Sequence, residues 1–203
     1  MCIANKTISS LVIDRLSDAT GGGSVSLVYF YCDFHTQKPE VTAQMLTSLL
    51  KQAVCGLEVI PVEIDRAFQK AKQGLDGRGL STPDLLKLLP AALRLHKLSF
   101  ICIDALDECV IEHRPEFLRS LHSIVRNSPN VRLFATGRPH IRAELEEHHG
   151  RAPQIILFKL AKGDIRIYLE RKLRDDPFPK AMDSDLKRDI MEVIPEMASE
   201  MYV

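Results

Sequence analysis

The apolar run Leu98–Ile103 (L-S-F-I-C-I) constrains the fold of this chain more than any other segment. It is too short for a typical helix, contains no charged residue and stops at the acidic side chain of Asp104. A short run without polar alternation predicts a strand buried on both faces, as in a parallel sheet covered by helices. Such sheets bind ligands at the carboxyl ends of their strands, which is where Asp104 would lie.

Helical and strand-like patterns alternate on both sides of this run, which predicts an α/β fold with a parallel sheet. Further strands are expected at Val25–Phe34, Val131–Ala135 and Gln154–Leu160. Helices are expected at Thr7–Leu16, Glu40–Val54, Val62–Lys72, Pro83–Leu95, Arg114–Val125, Ile141–His148, Asp164–Leu173 and Ser184–Val203. We expect Thr82 and Asp164 to cap the helices that they precede or begin.

Composition and charge exclude several functional classes. The 203 residues include 27 Lys or Arg and 27 Asp or Glu, so the formal net charge is +0, which argues against a strongly basic nucleic-acid binder. No apolar stretch reaches the roughly 18 residues of a membrane-spanning helix, and no signal peptide is evident, so we expect a cytoplasmic protein. The five cysteines form no C-x-x-C pair and are interpreted as small buried hydrophobes.

The string Phe100–Glu108 (F-I-C-I-D-A-L-D-E) has the pattern of a Walker B motif. At the end of a strand, Asp104 would hold Mg²⁺ beside nucleotide phosphates, mostly through water, because hard oxygen ligands suit that ion. Either Asp107 or Glu108 would then polarise an attacking water. The alternative interpretation is that these acids only cap the helix that follows.

Two further stretches carry groups suited to phosphates. The strand Val131–Ala135 ends in Thr136 and Arg138, a hydroxyl and a guanidinium that could sense or stabilise a γ-phosphate. Lys6 and Thr7 open the first predicted helix, as the last residues of a P-loop do. A P-loop requires glycine where Asn5 stands, so the Lys-Thr pair by itself specifies little.

Taken together, these stretches resemble one family. The strings K-T-I-S-S-L-V-I-D from Lys6, V-Y-F-Y-C-D-F from Val28, I-C-I-D-A-L-D-E-C from Ile101 and L-F-A-T-G-R-P from Leu133 follow in its order. They are similar to the NACHT-type P-loop domain of fungal NOD-like STAND proteins, also called the nephrocystin-like N-terminal domain. The resemblance implies a P-loop NTPase-like three-layer sandwich that binds ATP or GTP with Mg²⁺ and switches between inactive and oligomerising states.

The resemblance also implies roles for individual residues, in three groups. Lys6, Thr7 and Thr136 would bind the nucleotide. Asp104 and Thr7 would bind the metal ion. Asp107, Glu108 and Arg138 would be the catalytic residues. The implied partners are the nucleotide and other copies of this or related NACHT chains, without nucleic acid or membrane.

Departures from the family pattern limit the expected activity. Asn5 replaces a P-loop glycine, and the family's first strand and P-loop glycines are missing, so the chain looks cut at both ends. We therefore expect residues 1–174 to form an incomplete NACHT domain and residues 175–203 to form a linker and the start of a helical segment. We expect at most a weak NTPase that binds Mg-ATP weakly or not at all, with low solubility.

The sequence leaves one alternative function open and argues against another. A non-catalytic pseudo-NTPase scaffold or relic, without nucleotide binding, remains open as the alternative. An RNA helicase is excluded by the neutral charge and the absence of a second helicase domain. The basic stretch Arg166–Arg174 is interpreted as the solvated face of a helix, because Ile165, Leu169 and Leu173 fall on one apolar stripe.

Overall fold

The computed structural model describes residues 3–19, 25–33, 41–55, 57–73, 79–148, 154–156, 161–176 and 182–198, without the side chains of residues 3–8, 19, 41, 148 and 198. The chain divides into two compact units, Met1–Pro153 and Gln154–Val203. The expected domain boundary after residue 174 stays a prediction.

In the first unit, helices and strands alternate along the chain. The helices are α1 (Ile3–Ala19), α2 (Val41–Cys55), α3 (Val62–Gln73), α4 (Thr82–Leu93), α5 (Arg114–Asn127) and α6 (Arg142–His148). The strands are β1 (Val25–Tyr31), β2 (Leu98–Asp104) and β3 (Val131–Ala135). Two 3-10 turns, Leu106–Glu108 and Pro139–Ile141, follow β2 and β3. We call Leu106–Glu108 the acidic turn.

The described strands form one parallel sheet in the order β1-β2-β3. Strand β2 lies at its centre, with Tyr31 of β1 opposite Asp104 and Ala135 of β3 opposite Ile103. This confirms the predicted α/β class with a parallel sheet. The predicted strand Gln154–Leu160 is not formed at residues 154–156, where Ile156 is 64% exposed, and residues 157–160 lie outside the described part of the chain.

The two faces of β2 are covered by different helices. Ile101 and Ile103 are fully buried in the main core, together with apolar side chains of α2, α4 and α5. Because side chains alternate along a strand, Cys102 and Asp104 lie on the opposite face. Helix α1 packs on β1 and β2, and its Ser9 contacts Asp104. Helices on both faces are the arrangement that the apolar β2 sequence predicts.

Three local predictions are corrected by the structure. Helix α4 is capped by Ser81, not Thr82, and the Ser81 hydroxyl accepts from the Asp84 amide at 3.4 Å. The helix predicted to begin at Asp164 begins at Lys162, so Asp164 lies in its first turn and is not the cap. Helical spacing in α1 predicts one apolar stripe on the buried face, formed by Ile8, Leu11, Val12 and Leu16, but Leu11 is 58% exposed. The buried positions are Ser9 and Ile13, because the helix is rotated relative to the stripe we predicted.

The second unit contains α7 (Lys162–Arg174) and α8 (Ser184–Ala198), which pack against each other. An ion pair between Lys162 and Glu196 joins the two helices and lowers the pKa of Glu196. Ile165 is buried and the basic side chains of α7 are exposed, in agreement with the predicted solvated face. Among the described residues, no helix has the length and apolar character needed to cross a membrane.

We predict that Ile101→Ala lowers the free energy of unfolding by about 2–5 kcal/mol, because it opens a cavity at the centre of the sheet. The matched control is Ile111→Ala, since Ile111 is 65% exposed and its truncation should change the stability by no more than about 0.5 kcal/mol. Urea denaturation followed by circular dichroism measures both values. Equal losses in the two variants would contradict the central position of β2.

Candidate functional site

The carboxyl ends of β2 and β3 bring two of the predicted site residues together. Asp104 ends β2, and Thr136 directly follows β3. The Thr136 amide donates to the Ile103 carbonyl at 2.9 Å, which continues the ladder between the strands. The Thr136 hydroxyl donates to Asp104 Oδ1 at 2.6 Å. Neighbouring parallel strands end at one edge of a sheet, so this contact follows from the topology.

A third residue, Ser9, completes this cluster and was not identified from the sequence. Its hydroxyl donates to Asp104 Oδ1 at 2.5 Å and lies 3.3 Å from Thr136 Oγ1, and the residue is 1% exposed. The available signal was helical spacing, because Ser9 precedes the buried Ile13 by one turn. Lys6 and Thr7 lie in α1, but their side chains are outside the described part of the structure.

The second carboxylate oxygen of Asp104 has no hydrogen-bond partner among the described residues, although it is buried. Asp104 is only 2% exposed, and a buried carboxylate without a compensating partner is costly. No cluster of three or more His, Cys, Asp or Glu side chains suited to a metal occurs in the described residues. One carboxylate beside two hydroxyls fits Mg²⁺, which takes few protein ligands and keeps waters or phosphate oxygens.

The turn after Asp104 is held against the turn after β3. Ala105 adopts a left-handed conformation (φ 53°, ψ 48°), which costs a non-glycine residue about 1–2 kcal/mol. Its amide donates to Thr136 Oγ1 at 3.0 Å, and the Leu106 amide donates to the Thr136 carbonyl at 2.8 Å. Thr136 therefore both donates to Asp104 and fixes the strained residue that follows it.

Asp107 and Arg138, both predicted to be catalytic, form an ion pair. Arg138 Nε lies 3.4 Å from Asp107 Oδ2, and the Arg138 amide donates to Asp107 Oδ1 at 3.2 Å. The Asp107 side chain is 5% exposed, whereas that of Arg138 is 51% exposed. Glu108, the third predicted catalytic residue, is half-buried in the same turn. The structure thus gathers these groups beside Asp104, and their catalytic roles stay predictions.

Arg114, on α5, holds the acidic turn in place. No pattern in the sequence had identified this residue. Its Nη1 donates to the backbone carbonyls of Asp107 (3.2 Å) and Cys109 (3.4 Å). Its Nε and Nη2 donate to the two carboxylate oxygens of Glu144 on α6, at 2.8 and 2.7 Å. The hydrogen bond to Glu144 raises the pKa of Arg114, whose side chain is 4% exposed. One guanidinium therefore joins α5, α6 and the acidic turn.

Gly137, between Thr136 and Arg138, allows the β3 turn to approach its neighbours closely. A Cβ at this position would lie 2.5 Å from Ile141 Cδ1 and 3.4 Å from Asp107 Oδ1. Ile141 is 2% exposed, so its side chain has little room to move away. A residue with a Cβ at position 137 would therefore require Ile141 to repack.

We predict strong energetic coupling between Arg114 and Glu144. Arg114→Met should lower the stability by about 2–3 kcal/mol, somewhat less than the loss of a fully buried pair, because Glu144 is 32% exposed. A double-mutant cycle with Glu144→Gln should give a coupling above about 1 kcal/mol. The matched control is Arg142–Glu146, an exposed pair at 2.7 Å, for which about 0.5 kcal/mol or less is expected. Similar couplings for the two pairs would contradict the positioning role.

Gly137→Ala is predicted to cost about 1–3 kcal/mol of stability through overpacking. Ile141→Val removes the atom closest to the new methyl group, so the same substitution should cost less in that background. Gly163→Ala in α7 is the control, because a Cβ there meets nothing within 4 Å and should stabilise the helix by up to about 1 kcal/mol. Thermal denaturation of the variants measures these differences, and an undiminished cost in the Ile141→Val background would refute the proposed clash.

Comparison with known families identifies the chain at the level of a domain. The sequence model described as Nephrocystin 3, N-terminal matches residues 5–138, an interval that contains Ser9, Asp104 and Thr136. Searches of curated proteins and of solved structures found no match. The matched interval covers more than half of the 203 residues, so the chain belongs to the nephrocystin 3 N-terminal family.

Proposed function

We propose that this chain is the nucleotide-binding module of a NACHT-type, STAND-class signalling protein, which binds ATP or GTP with Mg²⁺. The observation that carries the proposal is the buried Oδ2 of Asp104, which has no hydrogen-bond partner among the described residues and lies beside the hydroxyls of Ser9 and Thr136. A protein that needed Asp104 only for stability would gain by pairing both oxygens or by losing the charge. Family membership and the parallel sheet with helices on both faces agree with it.

Each residue of the cluster has a part in this proposal. Asp104 would hold the cation, while Ser9 and Thr136 fix the carboxylate by donating to its other oxygen. Mg²⁺, when bound, supplies positive charge that neutralises nucleotide phosphates. Lys6 and Thr7, which lie in the first two turns of α1 and do not begin it as expected from the sequence, would bind phosphate, in keeping with the resemblance of the K-T-I-S-S string.

Arg138 and Asp107 are suited to reporting which nucleotide is bound. Half of the Arg138 side chain is exposed, and its guanidinium forms an ion pair with the buried carboxylate of Asp107. A γ-phosphate within reach of Arg138 would compete with Asp107 for the guanidinium, since both are anions that accept charge-assisted hydrogen bonds. Release of Asp107 would leave it, with Glu108, to polarise water in a weak NTPase reaction. A switch of this kind could regulate self-association of the chain in the cytoplasm.

The alternative is a pseudo-NTPase scaffold without nucleotide binding. It is favoured by Asn5, whose Cβ stands where the resemblance places a glycine that lets the backbone approach phosphate. Under this alternative, Asp107 and Arg138 form a purely structural ion pair. The two functions make different demands on Asp104, which a single substitution can separate.

We predict that Asp104→Asn leaves the protein at least as stable as the wild type without nucleotide. The substitution removes the charge of a buried carboxylate whose Oδ2 has no hydrogen-bond partner among the described residues, and it keeps an oxygen acceptor for Ser9 and Thr136. Thermal denaturation in EDTA measures this. The control is Asp18→Asn, an exposed aspartate on α1 whose substitution should change little. A clear loss of stability in Asp104→Asn alone would assign the residue a structural role.

Binding is tested by calorimetric titration of Mg-ATP and Mg-GTP into the same proteins. We expect weak binding to the wild type and at least about tenfold tighter binding, or about 1.4 kcal/mol, to Asn5→Gly. In the Asn5→Gly background, Asp104→Asn should abolish the difference between Mg²⁺ and EDTA. If Asn5→Gly does not bind either nucleotide, the scaffold alternative is correct.

A further inference from the structure

Two buried cysteines meet at the sheet edge that carries the acidic turn. Cys32 follows β1 and Cys109 follows the acidic turn, and their sulfur atoms lie 2.7 Å apart although 77 positions separate them in sequence. Cys32 is 3% exposed and Cys109 is 9% exposed. The sulfurs of a disulfide lie about 2.05 Å apart, so a small movement of either side chain would bring this pair within bonding distance.

The backbone of each cysteine is held in place by separate contacts. The Cys32 amide donates to the Asp104 carbonyl at 2.9 Å, which extends the β1–β2 ladder by one step. The Cys109 amide donates to the Leu106 carbonyl at 3.2 Å, and the Cys109 carbonyl accepts from the buried Arg114 at 3.4 Å. The two sulfurs are therefore juxtaposed by secondary structure and by a buried guanidinium, and not by chance contact of mobile loops.

The other described cysteines lack this arrangement. Cys102 is buried on the opposite face of β2, where burial raises the pKa of its thiol to about 11. Cys55 is exposed at the end of α2. Among the described residues, no third His, Cys, Asp or Glu completes a metal-ligand cluster with the pair. Two thiols in contact can form a disulfide when an oxidant is present.

We propose that Cys32 and Cys109 form a reversible disulfide that ties the end of β1 to the acidic turn and makes this edge of the sheet sensitive to oxidation by peroxides. The bond would fix Asp107 and Glu108 relative to the sheet, because only the backbone of Glu108 separates Asp107 from Cys109. The device is independent of the proposed nucleotide function and acts on the turn whether or not a ligand binds.

The chemistry balances with hydrogen peroxide as the oxidant. The thiolate of Cys109, the more exposed of the two, attacks one peroxide oxygen, the O–O bond breaks, and the departing hydroxide takes up a proton to leave as water. The sulfur of Cys32 then attacks the sulfenic acid on Cys109, the S–O bond breaks and a second water leaves. Two thiols thus lose two electrons and two protons in total, and one peroxide is reduced to two waters.

The test treats the full chain with hydrogen peroxide, blocks remaining thiols under denaturing conditions and maps the cysteines by mass spectrometry. We expect a cross-linked Cys32–Cys109 peptide pair that dithiothreitol separates, while Cys102 stays alkylatable. Oxidation should raise the melting temperature by about 5–15 °C, because the bond closes a long loop in the unfolded chain. Amide hydrogen exchange of residues 105–109 should slow at the same time.

Variants separate this reaction from general oxidation. Cys32→Ala should abolish both the cross-link and the rise in melting temperature, whereas Cys102→Ala should preserve both. If Cys32→Ala does not fold, mapping of the wild-type chain still decides the question. A persistent sulfenic or sulfinic acid at Cys109, a cross-link to a different cysteine, or a Cys32–Cys109 bond without slower exchange in residues 105–109 would each overturn the proposal.

Discussion

Asp104 joins three segments that are distant in sequence through one side-chain oxygen and its backbone carbonyl, and the arrangement of this sheet edge depends on these hydrogen bonds. One oxygen accepts from Ser9 of α1 and from Thr136 after β3, while the Asp104 carbonyl accepts from the Cys32 amide after β1. The same residue therefore places a helix and both outer strands relative to the central strand. Its other oxygen is buried without a hydrogen-bond partner among the described residues, which is an unfavourable environment for a carboxylate.

The polar groups at this edge are supported by a core that is otherwise apolar. Ile101 and Ile103 of β2 are fully buried against α2, α4 and α5, which makes the strand rigid up to its last residue. Beyond that residue the chain is shaped by polar contacts, since Ala105 is held in a left-handed conformation by Thr136 and the acidic turn by Arg114. A rigid strand followed by a hydrogen-bonded turn is a common way to hold reactive groups in fixed positions.

Two separate controls are proposed for the acidic turn. Exchange of Arg138 between Asp107 and a phosphate would act on the β3 side, whereas a Cys32–Cys109 bond would act on the β1 side. Both would change the conformational freedom of the acidic turn, Leu106–Glu108. The first depends on nucleotide binding and the second only on the oxidation state, so the two controls can operate independently.

The sequence by itself determined the central strand, its neighbour β3 and the polar residues at their carboxyl ends. The apolar runs Leu98–Ile103 and Val131–Ala135 are local patterns, so they predicted the two strands and the position of Asp104 and Thr136 at one edge of the sheet. Because tertiary packing sets the rotation of a helix, only the structure brought Ser9 to Asp104 and left Leu11 exposed. Only the structure paired Arg114 with Glu144 and Cys32 with Cys109, since residues 30 and 77 positions apart meet through the topology of the sheet and helices, and no local pattern specifies such partners.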